Sequence, residues 1–519
     1  MSLLMWFVTI LVIAVFWFYF WSVKTYSYFK KLKVPYVKPI PLLGSLGPVF
    51  SGKLHPADAL ALGYKKFPDR RFSGYFEFHR PAILLHDPRL VKQIAVQDYD
   101  QFLDHGTLCP VEVDPFVGRI TFFMSGQSWK RERKAQSPLF TVSKMGRMLT
   151  LVSEHLHKAT ERLIDDSKAT IMDLDAHDLI GRLTNDVMTS VSLGVEVDSW
   201  RDRENDFYAQ SLHLTSNIGF QGLKFFLLTV FPARLFTLFG IRIVPDDCVN
   251  FYRGVVRKVV ELYRKSSFDR PDFISYIMKL SQIDSNQDDM DPEIDSSTHG
   301  NTQSDLDVAA TVGTYIFAGI ETSTAAVCFT LYELALNKNV QSKLHSEIDA
   351  IFKELDGVPI TYEALQGMRY LDLVVSESLR KWPPVAMTNR ACRSSYPLED
   401  FDGTRITLSE GQVVTIPIFA FHRDPNLFPN PDHFNPERFA DDNEHLMDRD
   451  AYMPFGMGPR NCIGLRLGLL QTKCAIYYLM LRFGIELSDK MEQPLKLKTS
   501  TTIFTAEKGF WFNLKPRAK

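Results

Sequence analysis

Residues 455–464 read Phe-Gly-Met-Gly-Pro-Arg-Asn-Cys-Ile-Gly and hold the strongest functional signal in the chain. Cys462 stands between Gly458 and Gly464, with Arg460 two residues before it and an apolar helical pattern directly after it. A thiol just before a helix lies near unpaired backbone N–H groups and the positive end of the helix dipole, which favour the metal-binding thiolate. Glycine allows a tight turn and the close approach of a flat cofactor. The alternative is a buried cysteine that acts as a small hydrophobic side chain, but the glycine-framed setting favours a metal ligand.

A second signal lies in the apolar segment that starts at Val308, which is hydrophobic nearly all round and therefore predicts a buried helix. Within it, Glu321 and Thr322 are polar groups whose burial is unfavourable unless they are hydrogen-bonded. Gly319 weakens the helix by about 1 kcal/mol relative to alanine. The combination predicts a locally opened turn that holds water or a diatomic ligand. The alternative is a kinked core helix in which Glu321 is hydrogen-bonded.

These two segments resemble signatures of the cytochrome P-450 family. The pattern Phe-x-x-Gly-x-Arg-x-Cys-x-Gly is similar to the family's haem-binding loop, and the stretch from 318 to 322 is similar to its oxygen-activating signature. The resemblance implies that Cys462 is the axial thiolate of a haem iron, a ligand type that favours O–O cleavage, and that Phe455 lies at the haem. It implies that Thr322 delivers protons during oxygen activation and that Glu321 supplies them.

Another family motif predicts a structural cluster. Glu377 and Arg380 lie three residues apart on one helical face, and Arg438, in Asn-Pro-Glu-Arg-Phe, is the arginine that completes the cluster by resemblance. Losing one member of such a buried cluster leaves an uncompensated charge, at a cost of about 3–5 kcal/mol. This cluster is predicted to be structural rather than catalytic.

The resemblance also indicates how haem carboxylates are held, since a guanidinium can bond a carboxylate through two hydrogen bonds. The residues that match propionate-binding positions are Trp129, Arg133, Arg390 and Arg460. Basic residues on the same helix and after the cysteine loop predict either a docking face for an acidic flavoprotein reductase or a solvated surface: Lys130, Arg131, Lys134 and Lys473.

The motifs run in order over roughly residues 30–519, so the chain is identified as a member of the cytochrome P-450 family. Membership implies a fold that is mainly α with a smaller β region, with haem between the long central helix and the helix of the cysteine loop. Residues 98–104, 130–140 and 458–466 look like those of insect microsomal members that metabolise xenobiotics.

The substrate pocket is predicted, by family topology, to lie on the distal side of the haem. Aromatic residues dominate the predicted lining, which indicates a lipophilic, uncharged guest. The predicted lining residues are His105, Phe116, Val117, Phe122, Phe123, Phe317, Ala318, Val385, Met387, Ile503 and Phe504. Each of them could equally be an ordinary core residue.

Composition excludes some classes of function. The chain has 519 residues, with 59 Lys and Arg against 61 Asp and Glu, and this near balance argues against a nucleic-acid partner. Six scattered cysteines without Cys-x-x-Cys spacing argue against a zinc site and a disulfide framework, and they fit a reducing compartment.

The N-terminus predicts a membrane anchor. Residues 3–22 carry no charge, and about 20 apolar residues suffice to cross the hydrocarbon core of a bilayer. The alternative, a cleaved signal peptide, would have an early basic residue, a shorter apolar run and a small-residue cleavage site. Lysines follow the span and none precedes it, which predicts a cytosolic body at the endoplasmic reticulum. We therefore divide the chain into a transmembrane anchor (1–23), a proline-rich linker (24–44) and a haem-thiolate catalytic domain (45–519).

The leading hypothesis is a haem-thiolate monooxygenase that inserts one oxygen atom from dioxygen into lipophilic xenobiotics such as plant allelochemicals or insecticides. Its partners would be an NADPH-dependent flavoprotein reductase and, as a further electron donor, a small haem protein. The absence of a Gly-rich dinucleotide fingerprint agrees with a separate reductase. Alternative substrates are a hormone, a terpenoid or a fatty acid. Alternative functions are a haem-thiolate isomerase or dehydratase, and a non-catalytic haem-binding protein.

Overall fold

The structure is a computed structural model that describes residues 3–106, 109–168, 170–215, 224–225, 227–228, 231–265, 270–284 and 304–517. Helices make up most of the described chain, as predicted. They are α1 (Leu3–Val23), α2 (Tyr28–Lys31), α3 (Gly47–Phe50), α4 (Pro56–Lys65), α5 (Pro88–Lys92), α6 (Gly126–Gln136), α7 (Val142–Ser167), α8 (Ala176–Leu193), α9 (Asp206–Thr215), α10 (Ala233–Leu238), α11 (Asp246–Lys265), α12 (Phe273–Asp284), α13 (Asp305–Leu336), α14 (Lys338–Leu355), α15 (Tyr362–Gly367), α16 (Arg369–Lys381), α17 (Ile418–His422) and α18 (Leu465–Arg482).

The β structure is smaller and forms three sheets. Its strands are β1 (Phe72–Glu77), β2 (Arg80–Leu85), β3 (Met172–Asp175), β4 (Thr388–Ala391), β5 (Tyr396–Glu399), β6 (Arg405–Leu408), β7 (Val413–Ile416), β8 (Phe483–Leu487) and β9 (Trp511–Pro516). The first sheet has the order β1-β2-β7-β4, with β2 and β7 parallel and the other pairs antiparallel. The second has the antiparallel order β3-β9-β8, and β5 and β6 form a hairpin.

The central helix is α13, which packs against α8, α18, α11, α9 and α16. Ser304 caps its start, where the Ser304 side chain accepts the Asp307 N–H and the Asp307 side chain accepts the N–H of Ser304. Carboxylates in the first turn also suit the positive end of the helix dipole. The helix is nearly apolar all round because neighbouring helices surround it.

The predicted opened turn in this helix is wrong, because α13 is continuous from Asp305 to Leu336. The Thr322 hydroxyl donates to the carbonyl oxygen of Ala318 at 2.6 Å, one turn back along the helix. Gly319 has a packing role instead: a Cβ there would lie 2.6 Å from Cε of Met188, on α8. The glycine therefore lets α8 and α13 approach closely.

The segment assigned as a linker lies against the body of the protein. Gly74 in β1 accepts the N–H of Val37 at 2.9 Å and donates to the Pro35 carbonyl at 2.8 Å. Phe29 is fully buried, and its ring occupies the place that a side chain at position 74 would need. The packed body therefore begins before the predicted boundary at residue 45.

The N-terminal residues Leu3–Val23 form a single helix of 21 residues without an acidic or basic side chain. Several side chains of α1 lie outside the described part of the chain. Among the helices whose side chains are described throughout, α13 is the one that is long and apolar enough to cross a membrane. Of its most apolar stretch, 72% is buried inside the protein, which is typical of a core helix.

Candidate functional site

Two accessible patches mark a site inside the protein. Helix α13 is buried from Val308 to Ala335, except at Phe317–Gly319 and at Glu321 and Thr322. Cys462, just before α18, is accessible, whereas the other five cysteines are buried. Since α13 and α18 pack against each other, we infer that the two patches border one internal space.

The loop that carries Cys462 is held by its own backbone. The N–H of Cys462 donates to the Phe455 carbonyl, and the N–H of Asn461 donates to the Gly458 carbonyl, each at 2.9 Å. Gly458 has a φ of +76°, and a Cβ there would lie 1.8 Å from the carbonyl oxygen of Ala95. No side chain fits at this position, so the loop requires glycine for its contact with the Ala95 backbone. Gly464 has a φ of −84° and needs no such freedom.

The Cys462 thiol is partly desolvated, although its side chain is accessible to solvent. Desolvation raises its pKa, whereas the Gly464 N–H and the Arg133 guanidinium act in the opposite direction. The expected stabilisation of the thiolate at the start of a helix is therefore present but smaller than the effect of desolvation.

Arginines converge beside this loop. Arg133 donates to Oδ1 of Asn461 at 2.8 Å, and Arg460 lies over the Trp129 ring with its Cζ 4.0 Å from the centroid. Arg460 also donates to the Leu103 carbonyl at 2.7 Å and to Oδ1 of Asp104 at 3.2 Å. The pKa of Arg460 is lowered to about 9, chiefly by desolvation and also by the nearby Arg390 and Arg133, while Asp104 acts in the opposite direction.

Arg390 lies on the same side of the site and is buried. It donates to the Asn389 carbonyl at 2.7 Å, and its Nη1 lies 3.5 Å from Nδ1 of His105. Burial lowers the pKa of Arg390 to about 10, and burial with the nearby arginines lowers that of His105 well below its usual value. Asp104 is the one carboxylate that forms an ion pair with any of the three arginines, 133, 390 and 460, in the described ranges. The cluster is therefore positive overall and suits a ligand that carries carboxylates.

The polar pair on α13 is less buried than the sequence predicted. Oε2 of Glu321 lies 3.8 Å from Nε2 of His177, in the first turn of α8, and both side chains are partly accessible. Thr322 is also partly accessible, and its hydroxyl donates to the carbonyl oxygen of Ala318. The prediction of a buried pair is corrected, because the described helices that pack around α13, α8 among them, cover these two side chains only in part.

The structure brings the predicted structural cluster together. Arg380 donates to both carboxylate oxygens of Glu377, at 2.7 and 2.8 Å, and Nε of Arg438 lies 3.5 Å from Oε2 of Glu377. Glu377 also accepts the N–H of Asn435 at 2.9 Å, and Arg380 donates to the His422 carbonyl at 2.8 Å. All three charged side chains are buried, so the cluster ties α16 to the segment that leads to the cysteine loop.

Several predicted pocket residues meet on the α13 side of the site. The Phe317 ring lies 5.8 Å from that of Phe123 and 6.4 Å from that of Phe122, and Phe122 stacks on His105 at 4.7 Å. A small pocket lies beside them. It is lined by Val117, Ile120, Phe123, His213, Leu214, Phe225, Ile243, Val244 and Phe317.

Other predicted pocket residues divide into accessible and core positions. Ala318, Val385 and Met387 are accessible, and Ile503 pairs with Val385 through a β-bridge. Two further predicted residues are buried against core residues. Phe116 is buried against α13, where its ring fills the space beside Gly313, and Phe504 is buried among aromatic residues of the core: His55, Phe329 and Phe419.

The predicted basic face is narrower than the sequence indicated. Lys473 is buried and forms an ion pair with Asp372, so it is not part of an open surface. Lys130 is paired with Asp100 at 2.6 Å. Arg131 and Lys134 are exposed on α6 and remain as candidates for partner contact.

Sequence reasoning missed Asp104, Asn461 and Phe225, which pair with site residues. Asn461 lies inside the cysteine loop and could have been found by its position next to the ligand residue. Asp104 reaches the site through its β-bridge to Ala391 in β4. Phe225 is distant in sequence from the other residues of the site. Neither carries a local signal, because each reaches the site only through the fold.

Comparisons with known proteins agree with this geometry. The family model described as "Cytochrome P450" matches residues 34–514. "Cytochrome P450 9e2" of Blattella germanica is 34% identical over 95% of this chain and 94% of its own length. "Probable cytochrome P450 9f2" of Drosophila melanogaster is 34% identical over 98% and 99%, and "Probable cytochrome P450 6a14" of the same species is 31% identical over 95% and 96%.

Proposed function

The chain belongs to the cytochrome P450 family and is therefore a haem-binding monooxygenase, and we propose that it oxidises lipophilic xenobiotics with electrons from NADPH through a separate reductase. One observation carries the proposal: Cys462 is the accessible thiol among the six cysteines, it lies beside an arginine cluster, and the helix that follows it, α18, packs against α13, whose residues 317–319, 321 and 322 are accessible. A flat ligand with an iron centre and two carboxylates matches these three features.

Residues of this chain would hold the haem through its iron and through its carboxylates. Cys462 would supply a thiolate ligand to the iron, and Arg133, Arg460 and Trp129 would supply hydrogen-bond donors to the carboxylates. The indole N–H of Trp129 has no acceptor among the protein groups of the described residues, so it is available to a bound carboxylate. When bound, thiolate-ligated haem supplies the O–O cleavage and oxygen-transfer chemistry.

Protons reach the reacting centre through α13. The Thr322 side chain is partly accessible, and because its hydroxyl proton is donated to the Ala318 carbonyl, the hydroxyl oxygen can accept a hydrogen bond from a proton carrier in the site. Glu321 contacts His177, which is partly accessible, so the carboxylate can exchange protons with the exterior. We assign Glu321 to proton supply and Thr322 to proton delivery.

The substrate class follows from the lining of the pocket. Phe123, Phe225 and Phe317 form an aromatic wall, and Val117, Ile243 and Val244 add aliphatic surface. Such a lining favours an uncharged, lipophilic guest. The names of the relatives place them among insect P450 proteins, which fits xenobiotics, with a hormone, terpenoid or fatty acid as the alternative.

The experiment that tests this function uses the purified full-length protein with a P450 reductase and a panel of lipophilic compounds. We expect NADPH-dependent products that carry one oxygen atom from labelled dioxygen. Product formation without NADPH would support an isomerase or dehydratase instead. Ligand binding without NADPH consumption would support a non-catalytic haem protein.

Replacing Thr322 with alanine should uncouple NADPH consumption from product formation. Positioned proton donors contribute about 10²–10⁴-fold to rates, so we expect product per NADPH to fall by at least about tenfold, with excess peroxide. Thr330→Ala is the matched control, because the Thr330 hydroxyl also bonds the carbonyl one turn back, at 2.7 Å, but is buried. Unchanged coupling in Thr322→Ala would contradict the assignment.

We propose that α1 anchors the protein in the endoplasmic reticulum membrane with the catalytic body in the cytosol. Most of the large apolar side chains of α1 that the structure describes are exposed, as are Leu238 and Phe239 at the end of α10. Arginines at Ile13 and Phe16 cost about 2.5–3.5 kcal/mol each at a bilayer centre, so the double variant should leave the membrane fraction during carbonate extraction. Val358→Arg, an exposed position of the body, is the control. Full retention of the double variant would contradict the anchor.

A further inference from the structure

Asp114 connects two segments that border the pocket. Its Oδ1 accepts the N–H groups of Phe116 and Val117, each at 3.0 Å. Its Oδ2 accepts the N–H groups of Ile243 and Val244, at 2.8 and 3.1 Å. The Asp114 side chain is buried, with 1% of the residue exposed. One carboxylate therefore joins the segment before α6 to the segment between α10 and α11.

Asp114 accepts hydrogen bonds from the backbone of residues that line the pocket. Val117 belongs to the first segment, Ile243 and Val244 belong to the second, and all three line the small pocket beside Phe317. The two segments are more than 100 residues apart in sequence, so no local backbone pattern joins them. Hydrogen bonds to a charged acceptor are among the strongest in proteins.

Other contacts hold the outer edges of these segments. Nε of Arg119 lies 2.8 Å from Oδ1 of Asp307 at the start of α13, and Arg119 also donates to the Pro115 carbonyl at 2.7 Å. On the other side, the N–H of Ile241 donates to the Phe236 carbonyl at 2.9 Å, which folds the chain back on α10. Each segment is thus braced separately, and Asp114 provides the hydrogen bonds between them.

We propose that Asp114 is a positioning residue that holds the two walls of the substrate pocket together and thereby limits the rate at which bulky guests enter and leave. The inference rests on the proposed function, because it takes this space to be the substrate pocket. Asp114 contacts backbone N–H groups and not the reacting atoms, so its effect is on access and not on the chemical step.

The test compares the full-length holoprotein with its Asp114→Asn variant. An amide keeps one acceptor oxygen for the adjacent Phe116 and Val117, but it turns an N–H₂ donor toward the N–H groups of Ile243 and Val244. Hydrogen bonds to charged groups shift equilibria by about tenfold or more. We therefore expect amide exchange at residues 243 and 244 to accelerate at least about tenfold, while exchange at 116 and 117 changes little.

Access is measured by stopped-flow absorbance with two probes, imidazole and 4-phenylimidazole. In Asp114→Asn, both the association and the dissociation rates of 4-phenylimidazole should rise about tenfold, and those of imidazole should change much less. With a turnover substrate, KM should change and kcat should stay within about twofold. Asp186→Asn is the control, since Asp186 is a buried carboxylate that accepts the Ser199 N–H at 2.9 Å, outside the residues that line this pocket.

The outcomes separate this inference from the proposed function. Equal probe rates in the wild type and in Asp114→Asn, with an intact thiolate-type spectrum, would overturn the role of Asp114 alone. If the Asp114→Asn variant does not fold, hydrogen exchange of the wild-type protein tests the inference instead. Protection of the amides of residues 243 and 244 that increases together with that of residues 116 and 117 when 4-phenylimidazole binds would support the inference. Exchange of 243 and 244 as fast as in an exposed loop would refute it.

Discussion

Replacement of Cys462 with alanine should abolish the thiolate-type band in the reduced carbon monoxide difference spectrum and reduce NADPH-dependent turnover to background. Cys462 is the accessible cysteine, and the described contacts place its thiol next to Arg133 and the Gly464 N–H. No other thiol can take its place, because Cys109, Cys248, Cys328, Cys392 and Cys474 are all buried. The loss should therefore be complete, not graded.

The matched control is Cys474→Ala, which removes a buried thiol from α18. This variant should keep the thiolate-type band, although burial of a smaller side chain will lower stability somewhat. A thiolate-type band that persists in Cys462→Ala would contradict the ligand assignment. Loss of the band in both variants would show that disruption of α18, and not removal of the iron ligand, had caused the loss.

Local motifs predicted the parts of the site that depend on spacing along the chain. Cys462 and Gly458 lie in one loop, and the geometry of this loop follows from turns that each contain only a few residues. The bond between Glu377 and Arg380 follows from helical periodicity, which places residues three apart on one face. The positive φ of Gly458 and the helical spacing of Glu377 and Arg380 are local causes, whereas the contact of Gly458 with the Ala95 backbone is not.

Predictions that depended on distant partners were less successful. Phe116 and Phe504 are aromatic and lie in the expected regions, but Gly313 and the residues around His55 bury them in the core. Lys473 is basic and lies in an α-helix, but Asp372 pairs with it. No property of these residues in sequence distinguishes a core position from a pocket or surface position, because the deciding neighbour comes from another part of the fold.

The polar residues of α13 failed as a prediction for a similar reason. A nearly uniform apolar pattern indicated that Glu321 and Thr322 are buried, but burial depends on what covers each turn. The helices around α13 leave Phe317–Gly319, Glu321 and Thr322 accessible while they cover the turns on either side. Hydrophobic periodicity reports the average environment of a helix and does not report a local opening.

Replacing Glu377 with glutamine should lower the free energy of unfolding by about 3–5 kcal/mol. The substitution leaves the buried guanidinium groups of Arg380 and Arg438 without a carboxylate. It also weakens the bond that Oε1 of Glu377 accepts from the Asn435 N–H, which holds the segment leading to the cysteine loop. Urea unfolding followed by circular dichroism measures the stability, and the haem absorbance follows loss of the cofactor.

Glu437→Gln provides the control for charge removal in the same segment. Glu437 forms an ion pair with Lys343 at 2.8 Å, but both side chains are exposed to solvent. Exposed pairs contribute about 0–1 kcal/mol, so this variant should unfold close to the wild type. Glu377→Asp, which keeps the charge, should fall between the two. Equal stability of Glu377→Gln and Glu437→Gln would show that the buried cluster does not hold the scaffold of the cysteine loop, since the two substitutions differ chiefly in burial.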